Sequence, residues 1–237
     1  IIRGDYTISD ITLNRFFALH VIVLPLALVG LVFVHIVALH HVGSNNPDGV
    51  DIKDHKDADG VPLDGIAFHP YHTTKDLVGI IVFLMIFSAV MFFAPDMGGY
   101  FLEHANFEAA NVMATPEHIA PVWYFTPFYA ILRAVPDKLW GAVLMGASVM
   151  LPIFLPWLDR ARVKSIRYRG WIYKTALGLF TVSFCTLGWL GMQPADDIFV
   201  LMAQFFSAIY FAFFLAMPYY TTIDKTKPVP DRVTYHG

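Results

Sequence analysis

Phe16–His41 reads FFALHVIVLPLALVGLVFVHIVALHH, and this apolar run decides the fold class. It is long enough to cross a bilayer, whose hydrocarbon core takes about 20 helical residues. Two histidines, His20 and His35, sit inside it. An ionisable side chain at that depth is expensive, so it marks a cofactor, a pathway or a partner. As a helix, the run places the two imidazoles about 22 Å apart along the axis. Their directions differ by about 60°, so both can face one bundle interior. One imidazole then lies toward each membrane surface, and each can coordinate a metal centre. Haem iron is the natural candidate, because imidazole is a standard axial ligand. The plainer alternative is a pair of packing histidines bonded to polar neighbours.

Composition sets the broad class. Of 237 residues, 57% are hydrophobic and 15% charged. Soluble domains are nearer about 45–50% and about 25%. Mean hydropathy is +0.55. Cys185 is the only cysteine, so no disulfide forms within the chain, and its apolar setting fits a structural helix residue. The formal net charge of −3 gives no case for nucleic acid. The polar opening IIRGDYTISD lacks the apolar core of a signal peptide. The chain reads as an all-α integral membrane protein.

Apolar runs of spanning length predict five transmembrane helices, near Leu13–His41, Lys75–Ala94, Leu139–Leu158, Trp171–Met192 and Ile198–Tyr220. Pro25 interrupts the first, which membrane helices tolerate. Pro218, Tyr219 and Tyr220 close the fifth at an interfacial aromatic belt. The organisation follows: an opening segment with the histidine-bearing helix over 1–42, a polar loop over 43–74, and four further spans over 75–237.

Basic residues set the orientation. Lys53, Lys56, Lys75, Arg160, Arg162, Lys164, Arg167, Arg169, Lys174, Lys225, Lys227 and Arg232 fall on one side of a five-span chain. Arg3, Arg15, Arg133 and Lys138 fall on the other. The first set therefore faces the cytoplasm. The loop over 95–138 then lies outside. It is too apolar for a linker, and short helices at the membrane surface are expected within it, closing a site.

Two groups could carry further chemistry. HHVGSNNPDG and FHPYHTTKD bring His40, Ser44, Lys75 and Asp76 to the cytoplasmic ends of two spans. Such a cluster can bind a polar headgroup and exchange protons with it, or can be an interfacial set with Lys75 snorkelling and Asp76 near a helix start. On the outer side, Pro121-Val122-Trp123-Tyr124 joins a rigid turn to aromatics that could wall a flat apolar pocket or anchor the loop. Glu117 and His118 are nearby groups able to accept protons. His69, His72 and His104 are loop histidines, and His55 sits in DIKDHKDADG, which reads as an exposed insertion.

Taken together, LNRFFALH, VHIVALHHVGSNNPDG, FHPYHTTKD, ANVMATPEHIAPVWYF and FYAILRAVPDK resemble the C-terminal part of cytochrome b from the proteobacterial quinol–cytochrome c oxidoreductase, in family order over essentially the whole chain. The resemblance implies that His20 ligates the lower-potential haem b near the outer face, and His35 the higher-potential haem b near the cytoplasm. His40, Ser44, Lys75 and Asp76 match the quinone-reduction site. Pro121, Val122, Trp123, Tyr124 and Tyr129 match the quinol-oxidation site, with Asn111 in the stretch leading to it. Tyr124, Glu117 and His118 are the candidate catalytic residues.

It further implies that ubiquinol is oxidised at the outer face, electrons pass through two b haems, and ubiquinone is reduced at the cytoplasmic face. The expected partners are a Rieske iron–sulfur protein, a c-type cytochrome, a second copy of the complex and the earlier cytochrome b helices that supply the other axial histidines. The expected location is a bacterial inner membrane, crossed several times.

Two departures stand out. Many relatives carry Glu where this chain has Val122, so another group must take the quinol proton: Glu117, His118 or a Rieske-protein histidine. The His20–His35 spacing of fifteen is one longer than in mitochondrial members, which predicts a register change around Gly30 or Pro25. The chain also lacks the family's first three helices. It is then one piece of a split cytochrome or, as its start at Ile1 favours, part of a longer polypeptide. A transporter subunit using its histidines as relays, or a quinone-binding anchor, would share the buried histidines; haem separates the first of these from the cytochrome reading.

Overall fold

The computed structural model describes residues 3–44, 46–99, 104–109, 111, 113–114 and 119–234. They are helical throughout apart from loops, and the only β-type pairing among them is an isolated bridge between Lys56 and Pro62. The long helices are α1 (Asp10–Val42), α2 (Phe68–Phe93), α4 (Lys138–Leu158), α5 (Trp171–Leu190) and α6 (Asp197–Leu215). Two shorter ones are α3 (Thr126–Ala134) and α7 (Met217–Ile223). Two compact units divide the chain, one formed by Ile1–Gly65 with Asp231–Gly237 and the other by Ile66–Pro230.

In the first unit, α1 buries none of its apolar window. A helix that is apolar all round belongs in lipid or in a larger bundle. The loop that follows is held by its own polar groups. Asn46 Oδ1 accepts from the amides of Asp48 and Val50, at 3.2 and 3.1 Å. Asp57 Oδ1 does the same for Asp59 and Val61, at 3.0 and 2.8 Å. The DIKDHKDADG segment is exposed, as its composition predicts, and is folded by these turns.

In the second unit, α2 likewise buries none of its apolar window. The core lies among α3, α5, α6 and α7, where Ile131, Leu187, Leu190, Tyr210, Phe214 and Met217 are buried. Helices α5 and α6 run antiparallel: Trp189 meets Phe199 at one end, Ser183 Oγ donates to the Phe206 carbonyl midway, and Phe180 meets Phe213 towards the other end. Phe180 stacks on Phe213 at 4.4 Å and meets Phe214 edge-on at 5.5 Å. Such aromatic geometries add to simple burial.

Three features add to the sequence reading. One face of the outer-loop helix is buried: in α3, Thr126, Ala130 and Ile131 are each 1% exposed, because α3 is packed against α4, α5 and α6. The fifth span stops at Leu215 and resumes as α7, since Pro218 has no N–H to continue the ladder. Finally, by length and composition alone, four helices among the described residues qualify as spans. The exception is α5, whose Lys174, Thr175, Thr181, Ser183 and Thr186 lower its hydropathy.

Chain connectivity nevertheless makes α5 a crossing. Arg232 of the tail binds Asp64 of the loop after α1, so both lie on one side of the membrane. An even number of crossings must separate them. Helices α2, α4 and α6 supply three, and α5 supplies the fourth.

A partly buried ion pair ties the end of α4 to the start of α5. Arg169 Nη2 donates to Asp159 Oδ2 at 2.6 Å, and its guanidinium stacks 4.1 Å from the Tyr173 ring centroid. Asp224 Oδ2 accepts from the Gly170 amide at 2.7 Å. Removing Arg169 leaves a carboxylate that water reaches only in part. Arg169→Ala is therefore expected to cost about 1–2 kcal/mol, read as a fall in the thermal inactivation midpoint of the assembled protein.

Candidate functional site

His20 lies in a π-helical turn, Leu19–Val23, closed by the Leu24 amide on the Leu19 carbonyl. Pro25 follows and cannot donate to the Val21 carbonyl, so the ladder is already broken there. The wide turn absorbs one residue. Fourteen α-helical steps then remain of the fifteen, and the imidazole directions differ by about 40° in the opposite sense. The register change thus falls just before Pro25 and not at Gly30. Both imidazoles are exposed on α1, and among the described residues neither has a hydrogen-bond partner. Between them, a Cβ added at Gly30 would meet nothing within 4 Å.

This apolar face, with an unengaged imidazole near each end, fits a flat metal-bearing macrocycle at two levels. No group of three or more His, Cys, Asp or Glu side chains among the described residues could hold a bare metal ion. Each histidine therefore offers one ligand.

At the basic end, α1 closes at Gly43, whose φ of +92° favours glycine. Lys53 Nζ donates to the His40 carbonyl at 3.3 Å and also to the His41 carbonyl, capping the helix with a cation. Ser44 follows and is exposed. Lys75 and Asp76 occupy the first turn of the regular helix Thr73–Phe93, also exposed. His40 and Ser44 belong to the first unit, and Lys75 and Asp76 to the second. His69 Nδ1 lies 3.4 Å from Thr73 Oγ1, and His72 stacks on Phe68.

Within the second unit, Trp123–Phe125 forms a 3₁₀ turn, with the Phe125 amide on the Val122 carbonyl at 2.8 Å. Trp123 and Tyr124 meet edge-to-face at 5.7 Å, and Tyr124 is 63% exposed. Thr126 Oγ1 donates to the Trp123 carbonyl at 2.7 Å, fixing the turn to α3. Tyr129 lies under the Arg133 guanidinium, and Arg133 Nη2 donates to the carbonyls of Leu190 and Gln193 at 3.0 and 2.8 Å. Asn111 Oδ1 accepts from the Met113 amide. Glu117 and His118 lie outside the described residues.

Two features here were not read from the sequence. Gly191 lets the Thr126 carbonyl approach so closely that an added Cβ would sit 2.1 Å from its oxygen. Gly141 does the same for the Leu132 carbonyl, at 2.5 Å. The aromatic turn and α3 are seated in these two notches. The run LGWLGM held the first signal, and nothing local marked the second.

The family model described as Cytochrome b(N-terminal)/b6/petB matches residues 1–127, and that described as Cytochrome b(C-terminal)/b6/petD matches residues 109–211. The chain belongs to the cytochrome b family. It is 61% identical to a cytochrome b of Allochromatium vinosum, over 98% of this chain and 58% of that protein. It is 43% identical to the cytochrome b of Rhodospirillum rubrum, over 96% of this chain and 53% of that one. Among solved structures it resembles a chain of a hyperthermophilic respiratory complex III, with a TM-score of 0.82 and 35% identity over 94% of this chain and 54% of that chain. The chain thus spans just over half the length of these cytochrome b relatives. The two family models overlap across residues 109–127, the stretch that leads into the aromatic turn.

Proposed function

We propose that this chain is the C-terminal part of the redox core of a quinol–cytochrome c oxidoreductase in a bacterial inner membrane. Carrying the reading are two unengaged imidazoles on one apolar helix, one toward each membrane face. His20 and His35 would each hold one haem b from one side, with the opposite ligands supplied by cytochrome b helices outside this chain. Haem iron supplies one-electron carriage between the two faces. What the chain itself contributes is spacing, an apolar surround and one ligand at each level.

At the outer face, Pro121, Val122, Trp123, Tyr124 and Tyr129 would wall the quinol ring, held in place by the seat of α3. Oxidation releases two electrons and two protons: one electron leaves for a Rieske iron–sulfur protein, from which a c-type cytochrome accepts it, and the second would cross to the cytoplasmic face by way of the haems that His20 and His35 would hold. Val122 cannot take a proton, so Glu117 and His118 do so. At the cytoplasmic face, His40, Ser44, Lys75 and Asp76 would bind quinone, with the histidine and the carboxyl as proton donors and Lys75 balancing the charge. Protons leave on one side and enter on the other, which charges the membrane. The functional unit is a homodimer of the complex.

The test is quinol-dependent reduction of a c-type cytochrome by the purified complex containing this polypeptide. Glu117→Gln combined with His118→Gln is expected to slow it by about 10²-fold and to change its pH profile. An unchanged rate would assign the proton to the Rieske partner or to water. No activity in the native complex would remove the reading.

A further inference from the structure

Asp48 and Asp64, on the loop after α1, are 1% and 6% exposed. Carboxylates so buried need partners, and His55 of the loop itself lies 3.7 Å from Asp64 Oδ2. Further partners come from the far end of the chain. Thr234 donates to Asp48 Oδ2 through its amide at 2.9 Å and its hydroxyl at 3.0 Å. Arg232 Nε reaches both oxygens of Asp64, at 2.9 and 2.8 Å, and the Val233 amide adds a bond at 3.1 Å. These contacts span 168 to 186 residues of sequence.

The loop in turn grips the end of α1. Its Lys53 caps the carbonyls of His40 and His41. The tail therefore holds two side chains of the same loop whose Lys53 caps the helix end that bears His40. The loop is mostly polar and exposed, so burial of apolar surface contributes little to its shape. Its own Asx turns shape it, and the tail adds bonds to its two buried carboxylates.

We infer that Arg232 is a positioning residue for quinone reduction, and that residues 231–234 strap the loop presenting His40 and Ser44 to the quinone headgroup. This rests on the function proposed above. The Arg232 guanidinium also holds the Asp64 carboxyl below its ordinary value, against the opposing effect of burial, with help from the Val233 amide. The strap therefore binds a carboxylate at neutral pH, where the guanidinium is charged as well.

The experiment uses the intact purified complex and follows three quantities: haem b per chain, first-turnover quinol oxidation at the outer site, and the KM for quinone at the inner site. Arg232→Gln is expected to raise the inner-site KM about tenfold, as displacement of a positioned group does, while haem content and outer-site rate stay unchanged. Arg232→Lys, which keeps the charge without the fork, is expected to fall between Arg232→Gln and native. An unchanged inner-site KM, or an equal loss at both sites, would overturn the strap. Should Arg232→Gln fail to assemble, Thr234→Val removes one bond and keeps the amide. Its inner-site KM must still rise, and no rise would equally overturn the inference. A native complex that reduces no quinone would remove both the strap and the function it serves. Native activity with unresponsive variants would remove the strap alone.

Discussion

His35→Leu is expected to yield an assembled complex with one haem b fewer per chain and no quinone reduction at the cytoplasmic face. His20→Leu is expected to remove the other haem and to stop quinol oxidation beyond the first electron. The reasoning is local. Neither imidazole has a hydrogen-bond partner among the described residues, and α1 is apolar on every side. Leucine therefore suits the helix and its surroundings, and under the proposed function what is lost is a metal ligand. His41 is the matched control. It lies on the same helix, near the end, and His41→Gln is expected to leave haem content unchanged. Optical spectra of the reduced purified complex, scaled to chain content, check all three variants.

Gly191→Ala is expected to damage the outer site more than any substitution of the aromatic residues themselves. The added carbon would lie 2.1 Å from the Thr126 carbonyl oxygen and 2.7 Å from its carbon. Both are backbone atoms, so the start of α3 must move. Overpacking of this kind costs about 1–3 kcal/mol. The larger effect is geometric, because Thr126 also holds the Trp123 carbonyl, and the aromatic turn shifts with it. Quinol oxidation is expected to fall by about 10²-fold while the haem content holds. Gly178 provides the contrast, since a Cβ there would meet nothing within 4 Å. Gly178→Ala is expected to leave activity intact and to gain up to about 1 kcal/mol of helix propensity. Steady-state quinol oxidation and thermal inactivation of the three proteins distinguish these outcomes.

The long helices were legible because their evidence is local. An apolar run of spanning length needs no knowledge of its neighbours, and α1, α2, α4 and α6 appear close to where the runs lie. Pro218 and Pro25 were visible as interruptions. How each would be resolved was not: one splits α6 from α7, and the other accompanies a π turn beside His20. The turn matters because it resets the angle between the two histidines. The sequence offered a spacing one residue too long, which located the problem only to the middle of the helix.

Less legible was everything set by distant contacts. The apolar loop over 95–138 predicts short helices, but not that α3 is seated against glycine notches at Gly141 and Gly191. DIKDHKDADG reads as an exposed insertion, and nothing local to the loop shows that Asp48 and Asp64 also bind a tail more than 160 residues away. The site residues themselves were named from motif resemblance. Periodicity alone placed His20 and His35 on one helix, and it could not choose between ligands and packing residues. The run Trp171–Met192 reads as a span like the other four, and the Arg232–Asp64 contact agrees with an even number of crossings after the loop.

Haem stoichiometry tests the central claim most directly. The ratio of haem b to this polypeptide should be measured in the purified membrane complex, together with an equilibrium redox titration. Two haems per chain, titrating at separate potentials, are predicted. A correctly assembled complex with no haem would contradict the account and would leave the two histidines as relays or packing residues.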